Sequence, residues 1–208
     1  MRSRSIPSAL AVLTIGLVYR VTPQEPSQLY RSNGMGSVSQ VPVWFDRKFD
    51  FSFPVEMHPN LCARLRGTPA RLEDALRGRA NEVLTHKPRQ KWSAQEHAGH
   101  LLDLEPLWLA RVEDYVKGSE QLAITDLQNR KTDDANYNSQ PLEQILAKFR
   151  AARKTLLKRV EGLDVGLFSR PIPHPRLKVP MRLVDHLFFV AEHDDHHLAK
   201  IWELVNRE

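Results

Sequence analysis

Four stretches of the sequence repeat apolar residues with the 3.6-residue period of an amphipathic helix, and this restricts the fold more than any other feature. Polar or proline-containing segments separate the stretches, and we find no convincing pair of strands. The sequence therefore predicts an all-α four-helix bundle with an extended N-terminal arm and two long inter-helix connections. The predicted helices run from Thr68 to before Lys87, from Ser93 to Gly118, from about Pro141 to Leu163, and from about Arg182 to Asn206.

The first two predicted helices begin at recognisable capping residues. Thr68 is placed as an N-cap with Pro69 at the first helical position, where its missing N–H is harmless. Ser93 and Glu96 have the spacing of a capping box. Pro106 falls inside the second helix, so we expect a kink there.

The N-terminal part of the chain divides into two segments before the bundle, which we assign to residues 61–208. Residues 41–60 alternate three phenylalanines with polar residues and contain prolines, which predicts an extended arm whose aromatic residues anchor it to the bundle. Residues 1–40 have a linker-like composition after a short apolar run and are predicted to be a leader or disordered extension, outside the fold.

Residues 1–20 allow more than one cellular location. Two arginines precede about ten apolar residues, as in a secretory signal, but no small-x-small cleavage site follows. The run is also shorter than the ~18–20 apolar residues that span a bilayer, so no stable membrane span is expected. We favour a cytoplasmic protein, with Met35 as a possible true start. Export or membrane association through residues 1–20 is the alternative.

The charge distribution argues against a nucleic-acid partner. The net charge is +5, but residues 1–40 contribute four arginines against one glutamate, which leaves only +2 on the rest of the chain. The lone cysteine, Cys62, excludes an intrachain disulfide and is compatible with a reducing compartment. We expect Cys62 to be a small buried residue rather than a nucleophile.

Two predicted connections are unusually long for a compact domain. They cover residues 119–140 and 164–180, and loops of this length often carry function. We expect both to flank the functional site.

Histidines on one face of the fourth helix are the main indication of chemistry. His193 and His197 are four residues apart, and His186 lies seven residues before His193, so the three share an arc of roughly 40°. The arc coincides with the apolar stripe, which places these rings toward the core. Neighbouring buried imidazoles need partners for their nitrogens, and a divalent metal ion takes a lone pair from each neutral ring.

The second helix offers the further ligand that such a site requires. Periodicity alone favours His97, which lies near the middle of the apolar face, whereas His100 lies about 60° to one side. The kink expected at Pro106 makes this projection uncertain, so both remain candidates. Three protein ligands with open positions are typical of catalytic rather than structural metal sites.

Two motifs resemble the DinB superfamily of metal-binding four-helix bundles. They are WSAQEHAGHLLDLE in the second helix and EHDDHHLAKI in the fourth, and the resemblance extends over roughly residues 61–205. It implies that His100, His193 and His197 bind the metal. The family usually has an apolar residue at the position of His97, which we keep as the alternative ligand.

Three further residues are candidates for acid–base roles. Glu105 lies on the inner side of its helix and could contact a buried histidine or the site itself, and Asp194 could orient a ligand or be a solvated surface carboxylate. His186 is a candidate in the same way, and both His186 and His97 could instead be core histidines bonded to backbone or water.

The implied function is a metal-dependent enzyme that uses the ion as a Lewis acid in hydrolysis or thiol transfer on a small molecule. The substrate could include a low-molecular-weight thiol, and zinc or nickel is the expected metal. The alternative is a non-catalytic metal-binding or stress-related bundle, and either could form a homodimer. The sequence contains no nucleophile elbow, phosphate loop or dinucleotide fingerprint.

Overall fold

The computed structural model describes residues 41–206, and its four long helices form the predicted bundle. The helices and strands, in chain order, are α1 (His58–Leu76), α2 (Asn81–Thr85), α3 (Ala94–Lys117), α4 (Arg130–Asp134), α5 (Leu142–Glu161), β1 (Pro171–Pro173), β2 (Pro180–Arg182) and α6 (Leu183–Val205). Residues 1–40, to which the leader prediction refers, lie outside the described part of the chain.

The long helices are arranged in the order α1, α6, α3, α5 around the bundle. Helix α1 packs mainly against α6 and α5, and α3 packs mainly against the same two helices. Consecutive long helices α1 and α3 are therefore diagonal, as are α5 and α6. As expected for a shared site, α3 and α6 are neighbours.

Helix α1 corrects the predicted start of the first helix. The helix begins at His58, with Pro59 in its first turn, so residues 58–60 of the predicted arm are helical. Pro69 lies inside the helix rather than at its start. Because Pro69 has no N–H, the Leu65 carbonyl is left free, and it accepts a hydrogen bond from Arg153 Nη1 at 3.2 Å. A tertiary contact thus satisfies the group that a proline would otherwise leave unpaired.

Helix α3 begins and ends as predicted. Ser93 Oγ accepts from the Glu96 backbone N–H at 3.1 Å, and the Ser93 N–H donates to Glu96 Oε2 at 2.8 Å. Gly118 ends the helix in the left-handed conformation, with φ of 72°. Pro106 lies inside α3 without interrupting it.

The connections contain short regular elements. The first long connection includes α4, and the second contains a hairpin in which β1 pairs antiparallel with β2, from Pro171 opposite Arg182 to Pro173 opposite Pro180. The bundle is as predicted, but the expectation that the chain has no strand pair was wrong for this hairpin. Strands of three residues are too short to show an alternating pattern in sequence.

The N-terminal arm packs its aromatic rings against α6, as predicted. Trp44 lies 5.2 Å from the ring centre of Phe189, and Phe53 lies 5.1 Å from that of Phe188. Arg47 and Arg64 both pair with Glu192 on α6, which fixes the arm and α1 to the same helix. The arm thereby covers one end of the histidine face.

A layer of polar residues crosses the middle of the bundle and separates two apolar cores. Each long helix contributes one buried residue to this polar layer, which we define as Thr68, Glu105, Arg153 and Asp194. In every long helix, the buried apolar residues that precede the layer residue belong to one core and those that follow it belong to the other.

Within the described residues, none of the helices is both long and apolar enough to cross a membrane.

Candidate metal centre

Three histidines from α3 and α6 meet beside the polar layer. His100, His193 and His197 each offer one ring nitrogen within 4.8 Å of the other two, and all three side chains are buried. Within residues 41–206 this is the cluster whose geometry would allow a metal ion to be held by histidine, cysteine or carboxylate ligands. The i, i+4 spacing on α6 and the contact between α3 and α6 together produce it.

Burial keeps these imidazoles neutral. The pKa of His100 is lowered to about 4, first by burial, and the pKa values of His193 and His197 lie well below their ordinary value for the same reason. Repulsion between neighbouring imidazolium charges lowers the pKa of His193 and His197 further. Neutral rings retain the lone pairs that metal ions bind.

A hydrogen-bond chain fixes the tautomer of His100. Thr132 donates its hydroxyl hydrogen to Asp103 Oδ2 at 3.0 Å, so its oxygen must accept from His100 Nδ1, which lies 3.0 Å away. The proton of His100 is therefore assigned to Nδ1, and the lone pair of Nε2 is free for a ligand. Tyr137 also donates to Asp103, at 2.8 Å.

Gly99 makes room for this chain of hydrogen bonds. A Cβ atom at Gly99 would lie 2.2 Å from the ring of Tyr137, so the ring can rest on α3 only because residue 99 is glycine. The glycine next to His100 thereby supports the Tyr137 and Asp103 contacts behind the metal candidate.

His97 lies at the edge of the same cluster. Its Nδ1 is 2.8 Å from His197 Nδ1, while His197 Nε2 is 3.2 Å from His193 Nε2. His197 therefore has one nitrogen directed at His97 and the other directed at His193. The geometry groups His100 with His193 and His197, and it places His97 behind His197 as a bonding partner.

A cavity of about 310 Å³ opens beside the histidines. Both long connections contribute to its wall, as expected, together with the arm and α3 and α6. Its side chains are mainly aromatic and aliphatic: the arm gives Trp44 and Phe45, helix α3 gives Trp108 and Leu107, and the first connection gives Ile124 and Leu127. His196 also lines the cavity, beside Trp44.

Two of the predicted acid–base candidates belong to the polar layer and do not line the cavity. Arg153 donates to Glu105 Oε1 through Nε at 3.0 Å and to Asp194 Oδ1 through Nη2 at 3.1 Å. Thr68 donates to Asp194 Oδ2 at 2.8 Å. The expectation of a solvated Asp194 was wrong, because Arg153 and Thr68 draw that carboxylate into the bundle, where it is fully buried.

His186, the third candidate, lies in the core away from the cluster. Its side chain is fully buried between the rings of Trp108 and Tyr115, and neither ring nitrogen has a hydrogen-bond partner within residues 41–206. Burial lowers the pKa of His186 well below its ordinary value, so the ring is neutral. Cys62 is buried in the apolar core, and burial raises the pKa of its thiol.

The residues that meet at the site fit a divalent ion. Three neutral imidazoles from two rigid helices converge, and one of them has its tautomer fixed by a second residue, as metal-bound histidines usually do. Thr132 and Tyr137 could not be predicted as part of the site, since nothing in a loop sequence shows that it folds back onto α3. Asp103 could have been predicted from the sequence, because it lies three residues after His100 on the same helix.

A family model described as the DinB superfamily matches residues 64–201, about two thirds of the chain. Among solved structures, the fold is similar to that of YfiT from Bacillus subtilis, with a TM-score of 0.67 and 20% sequence identity, over 76% of this chain and 91% of the YfiT chain. That protein is described as a probable metal-dependent hydrolase with an unusual four-helix bundle topology. No functionally curated protein matches the sequence.

Proposed function

The chain belongs to the DinB superfamily, and on that premise we propose that it is a metal-dependent enzyme that acts on a small molecule in the cavity beside the histidine cluster. The observation that carries the proposal is the convergence of three buried, neutral imidazoles on the wall of that cavity. A ligand can reach these ring nitrogens through the cavity, whereas the polar groups of a purely structural cluster would be enclosed by protein.

His100, His193 and His197 are proposed to hold the ion through ring nitrogens. The hydrogen bond from His100 Nδ1 to Thr132 supports this set, because it leaves the other nitrogen of His100 for coordination. His97 is proposed to orient His197 rather than to bind the ion. A divalent ion held by three imidazoles with open positions supplies Lewis acidity.

The cavity favours an enzyme over the non-catalytic alternative. A structural metal site keeps four protein ligands and no access for substrate. Here the three histidines share a wall with aromatic residues from the arm and with residues of both long connections. These side chains can exclude water and orient an apolar substrate next to the ion.

The proposed reaction is hydrolysis or thiol transfer on a small molecule, with zinc or nickel as the metal. The description of YfiT as a probable metal-dependent hydrolase supports the hydrolytic form. Thiol transfer rests on the family resemblance alone, so the two forms are to be separated by assay, with and without added low-molecular-weight thiols.

The first test is elemental analysis of full-length protein purified without a metal-affinity tag. We expect about one divalent ion per chain, and alanine at His100, His193 or His197 should lower metal affinity by more than about 100-fold, since the loss of a ligand exceeds the 10–100-fold effect of an outer residue. His86→Ala is the matched control, because His86 is exposed and lies outside the cluster.

The His97→Ala variant decides between the two ligand sets. We expect it to retain the ion, with a modest loss of affinity from a less ordered His197. If His97→Ala abolishes metal binding while His100→Ala does not, the ligand set is wrong. If no histidine substitution changes the metal content, the proposed function fails.

A further inference from the structure

Two guanidinium groups on the wall of the cavity, those of Arg111 and Arg176, have no carboxylate partner among the described residues. Arg111 is buried and donates through Nε to the Ala123 carbonyl at 3.0 Å, and Arg176 lies over the rings of Phe45 and Phe189. Within residues 41–206, neither forms an ion pair, in contrast to the buried Arg153, which binds two carboxylates. A buried charge without a counter-charge is costly, so an external anion beside Arg111 would stabilise this part of the cavity.

The contact between Arg111 and His174 indicates where that anion belongs. His174 Nδ1 accepts hydrogen bonds from the backbone N–H groups of Arg176 and Leu177, at 3.2 and 3.1 Å. The proton of the neutral ring must then lie on Nε2. That nitrogen is 3.1 Å from Arg111 Nη1, which is also a donor. Two N–H groups face each other with no acceptor between them.

Arg176 provides a third donor beside them. Its Nη2 atom is buried and has no hydrogen-bond partner among the described residues. Burial, and to a smaller extent the charge of Arg176, lower the pKa of both His174 and Arg111, so two cationic guanidinium groups and one neutral ring N–H lie close together. An acceptor group placed in this part of the cavity would satisfy donors that are otherwise unpaired.

The cavity contains no competing carboxylate within the described residues that is free to fill this role. Asp126 is the acidic side chain on its wall, and it accepts hydrogen bonds from the backbone N–H groups of Gln128 and Arg130 and from the Arg130 side chain. The charge of Asp126 is offset by its ion pair with Arg130, which leaves the guanidinium groups of Arg111 and Arg176 available to an anion that enters from solvent.

We propose that Arg111, Arg176 and His174 form a carboxylate-binding subsite, so that the substrate of this protein is a small carboxylic acid with an apolar or aromatic body. The inference rests on the proposed function, because it takes the cavity as the substrate site. A singly charged, planar carboxylate matches the fork of a guanidinium. A doubly charged phosphate would cost more to bring into a cavity with mainly apolar walls.

The subsite also sets the position of the substrate relative to the histidine cluster. Trp108 lies between the two regions, with its ring 5.5 Å from the ring of His193 and 5.4 Å from the Arg111 guanidinium carbon. A substrate bound by its carboxylate therefore lies along Trp108, with its opposite end directed at the histidines.

The test measures binding of phenylacetate and its uncharged analogue phenylacetamide to the full-length protein, by the change in tryptophan fluorescence. Trp44, Trp92 and Trp108 all line the cavity and report its occupancy. We expect phenylacetate to bind at least about tenfold more tightly than phenylacetamide, and Arg111→Gln or Arg176→Gln to remove most of that difference. Arg66→Gln, on an exposed surface pair, is the matched control and should change nothing.

A second set of measurements separates this inference from the proposed function. The metal-site variant His193→Ala should still prefer phenylacetate, since the subsite does not require the ion. If the preference disappears in His193→Ala but persists in both arginine variants, the ion holds the carboxylate and the subsite is wrong. Tighter binding of inorganic phosphate than of phenylacetate would overturn the carboxylate class.

Folding of the variants is checked by circular dichroism. Arg176 is only partly buried, so Arg176→Gln keeps the test valid if Arg111→Gln fails to fold. Equal binding of phenylacetate by the wild-type protein and by Arg176→Gln would contradict the proposal without reference to Arg111.

Discussion

The polar layer and the histidine cluster are neighbours on α6, yet they leave their buried polar groups in opposite states. Asp194 follows His193 directly in the sequence and is held by Arg153 and Thr68. His193, in contrast, has one ring nitrogen without a partner among the described residues and another that faces His197. Satisfied buried charges indicate architecture, whereas buried groups that face a cavity without partners indicate a ligand site.

Two of the predicted acid–base candidates, Glu105 and Asp194, do not line the cavity. Glu105 and Asp194 have the chemistry of catalytic carboxylates, and the sequence places both near histidines. Their partner Arg153, on a different helix, pairs with both carboxylates and holds them in the middle of the bundle, although Glu105 Oε2 has no hydrogen-bond partner among the described residues. Residue type alone cannot distinguish a catalytic carboxylate from a structural one.

The largest expected effect comes from breaking the polar layer. Arg153→Met leaves two buried carboxylates without their cation, and removal of one partner of a buried pair costs about 3–5 kcal/mol of unfolding free energy. Urea denaturation measures the loss. Arg159→Met, which breaks the more exposed pair with Glu113, is the control and should cost about 0–1 kcal/mol. A similar loss of unfolding free energy in both variants would mean that the polar layer contributes no more to stability than the exposed pair does.

A smaller effect should follow from loosening His100 without touching a metal ligand. Thr132→Val removes the acceptor for His100 Nδ1, and loss of such an outer contact typically lowers metal affinity 10–100-fold. Competition with a chelator measures the affinity. Thr155→Val, at an exposed position, should leave it unchanged. An unaltered metal affinity in Thr132→Val would mean that the hydrogen bond to Thr132 does not orient His100 for metal binding.

The smallest effect is a change in the pH dependence of stability. The polar layer holds one guanidinium and two carboxylates, and burial raises the pKa of Glu105 from 4.5 to about 7. The folded state therefore binds this proton more tightly than the unfolded state. The contribution of Glu105 to the unfolding free energy is fully present below pH 4.5 and is lost as the pH rises through about 7.

Glu105→Gln removes this titration while it keeps the shape of the side chain. We expect the stability of the variant relative to wild type to increase between pH 4.5 and 7, measured by denaturation in the presence of a chelator. The difference between the two proteins cancels the titration of the histidines. Glu161→Gln, at an exposed position, should show no such trend. A flat difference for Glu105→Gln would mean that both carboxylates stay ionised.

The structure shows which parts of the fold could be predicted from local sequence alone. The period of the apolar residues gave the bundle, the Ser93–Glu96 box gave the start of α3, and the i, i+4 spacing gave the histidine pair on α6. These are interactions within one helix, so their geometry is fixed by residues a few positions apart. The start of α1 was misplaced, because Pro69 has the same local pattern at a helix start and inside a helix whose free carbonyl is satisfied from elsewhere.

Other features depended on contacts between helices that are distant in the sequence. Periodicity favoured His97 and the family resemblance implied His100, and the packing of α3 against α6 brings His100 to the α6 pair. Arg153 joined Glu105 and Asp194, and the second long connection brought Arg176 to the same cavity wall as Arg111 of α3. A sequence specifies which side chains a helix turns inward, because that depends on a fixed rotation per residue. Which inward side chains meet depends on how the helices are ordered around the bundle, and here that order places consecutive helices on diagonals.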